Sequence, residues 1–136
     1  MSLADLQPRS APRPLAARDE PFAVVDIGSN SVRLVIYEGL RRAANPLYNE
    51  KSICSIGRNM VRTGQLDGGG IAMALEALVR FRKLCDGYGI RRCEAVATAA
   101  ARDAQNGRAF IRRAEASLGC TINIDRKSTR LNSSHV

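Results

Sequence analysis

The segment Val24-Val25-Asp26-Ile27-Gly28-Ser29-Asn30-Ser31-Val32-Arg33-Leu34-Val35-Ile36-Tyr37 sets two apolar, β-branched runs on either side of a short polar turn. Such runs predict buried strands, Phe22–Ile27 and Val32–Tyr37, antiparallel across the turn Gly28–Ser31. A buried strand seldom carries an acid at its tip without a use for it, which singles out Asp26. Gly28 allows a bend where a side chain would block the chain. Ser29, Asn30 and Ser31 then offer backbone N–H groups and short donors on the concave side of the turn. That is a way to hold a phosphate without a lysine, and Asp26 could place a magnesium ion or a water beside it. The same spacing also fits an ordinary hairpin whose Ser-Asn turn is simply solvated.

Further along, Leu47–Ile56 reads as a third, more polar strand near an edge, opened by Asn45-Pro46. Residues 57–66 read as a loop carrying Arg58, Asn59, Arg62 and Thr63. Asp67 can cap a helix, along which Ile71, Leu75, Leu78, Phe81 and Cys85 recur at helical spacing. Gly68-Gly69-Gly70 starts that helix and Gly87 is expected to end it as a left-handed cap. A fourth strand is expected at Cys93–Thr98, then a helical turn at Ala99–Gln105. A second helix begins at Asn106-Gly107, buries Phe110, Ile111, Ala114 and Leu118, and stops at Gly119. Thr121–Ile124 gives a fifth strand. The order β-β-β-α-β-α-β makes the late, helix-connected strands parallel. Arg102 follows the fourth strand, and polar residues at such strand ends commonly face a ligand crevice. Its alternative use is a salt bridge on the helix surface.

Two ends fall outside this pattern. Residues 1–21 hold four of the five prolines, three arginines and no apolar run, and read as a disordered lead-in. Residues 125–136 turn abruptly polar and resemble the in-frame translation of a sequencing-library adapter, so they are set aside as an artefactual tail. With both removed, residues 22–124 keep fifteen basic against nine acidic side chains. That surface suits an anionic partner, polyanion or nucleic acid. Only three Phe, three Tyr and no Trp weaken the case for base stacking. No segment approaches a membrane span. Cys54, Cys85, Cys93 and Cys120 are scattered, without a Cys-x-x-Cys pair, and the single histidine lies in the tail. Reduced, buried cysteines are therefore expected, and a zinc site is not.

Asp26-Ile27-Gly28-Ser29-Asn30-Ser31 followed by an apolar strand resembles the first phosphate loop of the exopolyphosphatase / guanosine pentaphosphate phosphatase family. The resemblance continues through Ile56-Gly57-Arg58, Thr63-Gly64-Gln65-Leu66, the helix after it, and the stretch from Ala97 to Gly107, in that order. Related actin-like kinases and chaperones tend to carry Asp-x-Gly-Thr here, so Ser-Asn-Ser favours the phosphatases. The resemblance implies an α/β, ribonuclease H-like domain of the actin-like ATPase superfamily, truncated, with residues 22–124 its N-terminal part. It implies removal of a terminal phosphoryl group from inorganic polyphosphate or guanosine pentaphosphate by water, with Mg²⁺. Gly28, Ser29, Asn30, Ser31 and Arg102 would bind phosphate, Asp26 would face the metal, and Arg58 is a weaker candidate.

The family's glutamate-bearing segment, of the Ser-Gly-x-Glu-Glu-Ala type, should begin just after Ile124, where the adapter-like tail stands. A second loop of the Asp-x-Gly-Gly-Gly-Ser type is missing too, since Gly68–Gly70 precedes a helix. This chain is accordingly expected to be inactive and its intact parent active. A cytoplasmic setting goes with the reduced cysteines, and a homodimeric parent goes with the resemblance. Two other classes remain open: a phosphate- or nucleotide-binding module without chemistry, and a sugar- or acetate-kinase relative.

Overall fold

The computed structural model describes residues 20–39 and 45–124. The lead-in up to residue 19, the Arg41-Arg42 connection and the tail 125–136 lie outside the described residues. The strands are β1 (Phe22–Ile27), β2 (Ser31–Tyr37), β3 (Pro46–Ile53), β4 (Arg92–Ala97) and β5 (Ile122–Ile124). The helices are α1 (Met60–Thr63), α2 (Gly68–Gly87), α3 (Ala99–Asp103) and α4 (Gly107–Leu118).

One five-stranded sheet runs in the order β3-β2-β1-β4-β5. β1, β2 and β3 pair antiparallel, because short connections can only reverse the chain. β4 pairs parallel with β1, and β5 parallel with β4, each after a helical crossover. Both long helices pack on one face of the sheet and against each other. That face is made of Ala23, Val25, Ile27, Val32, Leu34, Ile36, Ala95, Ala97 and Ile122, all buried. Phe81 and Leu78 from α2 and Phe110 and Leu118 from α4 complete the core. Removing each such side chain from water contributes about 1.5–3 kcal/mol.

The opposite face is different. Val24, Val35 and Val96 are half-buried, and Asp26 and Arg33, paired across β1 and β2, are exposed. The reading of β1 as a fully buried strand therefore fails on one side. Asp26 lies in solvent, so its charge needs no buried partner and the argument from burial does not single it out.

Most expected boundaries hold, with four corrections. β3 stops at Ile53 rather than Ile56, because Ser55 turns with φ 55° and the ladder ends. Residues 57–66 contain the short helix α1, entered through Asn59 at φ 63°. α2 does not end on Gly87 as a left-handed cap; Gly87 is its last residue, Tyr88 caps it at φ −83°, and the left-handed turn falls at Gly89. The turn expected through Gln105 closes at Asp103. Asp67 does cap α2, accepting from the Gly70 amide at 2.8 Å, and Gly119 ends α4 at φ 78°.

Candidate phosphate site

The polar turn is built by consuming its carbonyls. The Gly28 amide donates to Ser31 O at 2.8 Å and closes the hairpin. From the chain that leaves β3, the Cys54 and Ser55 amides donate to Asn30 O at 3.0 and 2.9 Å, and the Gly57 amide donates to Ser29 O at 2.9 Å. The carbonyls of Ser29, Asn30 and Ser31 are thus all bound within the protein. The amides of Ser29 and Asn30 donate to no acceptor among the described residues. Both residues are exposed. Two successive backbone N–H groups with fixed carbonyls and free hydrogens make a ready anion site, since an unmet amide gains most from a charged acceptor. Ser55 Oγ adds a weak 3.4 Å contact to Asn30 Oδ1, which steadies that side chain.

The structure places the residues singled out by sequence as follows. Gly28, Ser29, Asn30 and Ser31 form one turn at the carboxyl end of β1. Gly28 is not sterically required by the chain itself: its φ is not positive, and an added Cβ would meet only Ser31 O, at 3.4 Å. The expected role of Gly28 as the residue that permits the bend is corrected on that ground. Asp26 stands two residues before the turn, exposed and without an ion pair among the described residues. Arg102 pairs with its neighbour Asp103, Nε to Oδ1 3.0 Å. It lines a cavity of about 310 Å³ with Arg108, Ile111, Arg112 and Ile124, none of them a residue of the turn. Arg58 lines a separate cavity of about 230 Å³ beside Arg62 and Thr63.

Sequence reasoning missed the residues that hold the turn in place. An added Cβ on Gly57 would lie 2.9 Å from Ser29 Cβ, so only glycine lets this segment close on the turn. One on Gly70 would lie 2.7 Å from Cys54 O and 2.9 Å from both Ser55 O and Ile56 Cα, so α2 can start directly behind it. Asn106 clamps the next connection, accepting from the Leu66 amide at 2.8 Å and donating to Leu66 O at 3.1 Å. Thr98 joins the ends of β1 and β4 through its amide, 3.1 Å from Ile27 O. Its hydroxyl is buried without a partner. Arg33 lies opposite Asp26 in the β1–β2 register, an exposed cation beside the acid. The glycines and Asn106 leave only weak sequence signals, because close approach between distant segments has no local signature.

The sheet order and the helical crossovers define an actin-like α/β domain, with a polar turn of unclaimed amides at the end of β1. Comparison with known proteins agrees. The Ppx/GppA phosphatase family matches residues 35–128, and the chain belongs to that family. That match begins beyond the turn, so the reading of the turn rests on its own geometry. Exopolyphosphatase 2 of Mycobacterium tuberculosis is 32% identical over 104 residues, 74% of this chain and 33% of that protein. The crystal structure of the Aquifex aeolicus Ppx/GppA phosphatase superposes with a TM-score of 0.70 at 31% identity, over 76% of this chain and 35% of that one. An exopolyphosphatase structure from Cytophaga hutchinsonii gives 0.68 at 25% identity, over 77% and 34%. The chain thus spans about a third of the length of the relatives it matches.

Proposed function

We propose that the protein is the phosphate-gripping part of a phosphatase that releases the terminal phosphoryl group of inorganic polyphosphate or of guanosine pentaphosphate. One observation carries the reading: the carbonyls of the Gly28–Ser31 turn are tied down while the Ser29 and Asn30 amides stay unclaimed. The family's exopolyphosphatase relatives supply the substrate class, and the net positive charge of the chain favours capture of a polyanion. In phosphoryl transfer most of the rate comes from positioning and charge neutralisation, and a rigid donor turn provides the first.

The donor set fits Mg²⁺ held chiefly by its substrate. Among the described residues no group of three His, Cys, Asp or Glu could hold a metal ion. Asp26 is one exposed carboxylate near the turn, and Mg²⁺ is commonly bound by one or two carboxylates together with substrate phosphates. When bound, the ion would offset phosphate charge. Asp26 would hold it, the Ser29 and Asn30 amides and the Ser29 and Ser31 hydroxyls would orient the phosphoryl oxygens, and Arg102 would meet a neighbouring phosphate.

The 136 residues contain no Ser-Gly-x-Glu-Glu-Ala-like segment and no Asp-x-Gly-Gly-Gly-Ser loop. We assign this chain binding without turnover, since absence of a general base alone lowers a rate about 10²–10⁴-fold. Two measurements test the reading. Incubated with polyphosphate and Mg²⁺, the chain should release no phosphate above background; release at an enzymatic rate would refute the assignment. In a longer protein that carries this segment and is active, replacing Ser29, Asn30 and Ser31 together by alanine should lower turnover of polyphosphate. Unchanged turnover would overturn the proposed function.

A further inference from the structure

Three of the four cysteines, scattered in sequence, meet at the end of the sheet remote from the phosphate turn. Cys85 is buried near the end of α2, Cys93 lies at the start of β4, and Cys120 precedes β5. Cys120 Sγ is 3.6 Å from Cys93 Sγ. The three thiols line one cavity of about 350 Å³ with Arg82, Asp86 and Arg91. Arg82 is fixed there by Asp86, Nε to Oδ1 3.1 Å, and by donating to Leu118 O at 3.2 Å. The β4–β5 register pairs Ala95 with Ile122, and carried two residues back it sets Cys93 beside Cys120 on the helix-covered face. Neighbouring strands run about 4.8 Å apart, inside the Cα separation of about 4.4–6.8 Å that a disulfide requires.

We propose that these thiols form an oxidation site, in which hydrogen peroxide entering the cavity is consumed at Cys85 and the product is a Cys93–Cys120 disulfide tying β5 to β4. The three groups differ in readiness. The neighbouring Cys93 thiol holds the Cys85 thiol below its ordinary range, with a small contribution from the Arg82 charge, against burial and the Asp86 carboxylate. Cys93 is pushed well up, first by its Cys85 neighbour and then by burial. Burial also raises Cys120. Cys85 lines the same cavity as both other thiols and Arg82, and the thiolate is the nucleophile, so Cys85 is assigned the first reaction.

The steps balance. The Cys85 thiolate attacks peroxide; an S–O bond forms, the O–O bond breaks, and the departing hydroxide takes a proton to become water. Cys93 sulfur then attacks the Cys85 sulfenic acid, forming S–S and releasing the second water. Cys120 thiolate attacks the Cys93 sulfur, and Cys85 leaves as thiolate. In sum two thiols and one peroxide give one disulfide and two waters, and Cys54, on the far side of the core, is untouched.

The test treats the 136-residue chain with hydrogen peroxide, alkylates the remaining thiols, digests with trypsin and maps the cross-links by mass spectrometry. The mass before alkylation should fall by two hydrogens. The dominant cross-link should join the tryptic peptides 93–102 and 114–126, with Cys54 and Cys85 alkylated. Cys85→Ser should slow the cross-link about tenfold, and Cys120→Ser should leave the intermediate Cys85–Cys93 disulfide. The same treatment in denaturant should scatter the pairing. A pairing no different from the denatured chain, or a Cys93 that stays fully alkylatable after oxidation, would overturn the proposal.

Discussion

Gly70 to alanine is a substitution for which helix propensity and packing predict opposite signs. Gly70 is the third residue of α2, behind the Asp67 cap. In an isolated helix, alanine for glycine stabilises by about 1 kcal/mol. Here the new methyl would sit 2.7 Å from Cys54 O and 2.9 Å from Ser55 O and Ile56 Cα. All three are backbone atoms, and the Cys54 and Ser55 amides are bonded to Asn30 O, so the segment cannot yield without disturbing the Gly28–Ser31 turn. Overpacking of this kind costs about 1–3 kcal/mol, more than propensity returns. Gly68, one turn-edge earlier in the same helix, has nothing within 4 Å of an added Cβ. Alanine there should be neutral or stabilising by up to about 1 kcal/mol. The two variants should therefore differ by about 2 kcal/mol in urea unfolding followed by circular dichroism, with unchanged m. A Gly70→Ala protein as resistant to urea as Gly68→Ala would refute the reasoning about how α2 abuts the turn.

Three further outcomes are expected. Asn106→Ala removes both hydrogen bonds to the Leu66 backbone and strands a half-buried amide and carbonyl; it should cost about 1–3 kcal/mol in the same urea assay. Gly57→Ala forces a methyl to 2.9 Å from Ser29 Cβ and should weaken tripolyphosphate binding on the order of tenfold by calorimetry, with little loss of helix content. Among the described residues the sheet face carrying Val24, Val35 and Val96 is only half-buried and β3 and β5 are the sheet's edge strands, so the chain should associate in solution. Light scattering and a thermal melt check this, a monodisperse sample melting cooperatively above about 60 °C being the contrary result.

Local chemistry made much of the fold legible. The apolar runs on either side of Gly28–Ser31 gave β1 its ends and β2 all but one residue, because hairpin strands in a core must be apolar at alternate positions at least. Asp67 and Gly119 marked helix ends by capping chemistry that depends on one residue each. Where the pattern misled, tertiary contacts were deciding. Cys54 and Ile56 continue the inward alternation of Tyr48, Glu50 and Ser52, yet the chain has already left the ladder, since Ser55 takes a left-handed turn to bond Asn30. Asp26 looked buried because both neighbours are; the helices cover one face only. At the site, the turn itself was visible as a run of small polar residues. The tying of its carbonyls by residues 54–57, and the meeting of Cys85, Cys93 and Cys120, join segments far apart in sequence and could not be read locally.

Amide-resolved NMR titration of the chain with tripolyphosphate addresses the proposed phosphate role of the Gly28–Ser31 turn. The Ser29 and Asn30 amide resonances should move together and saturably, and Mg²⁺ should tighten the response in the native chain but not in Asp26→Asn. Movement confined to the arginine-bearing surfaces around Arg58 or Arg108, with Ser29 and Asn30 stationary, would contradict the assignment of this turn as the phosphate grip.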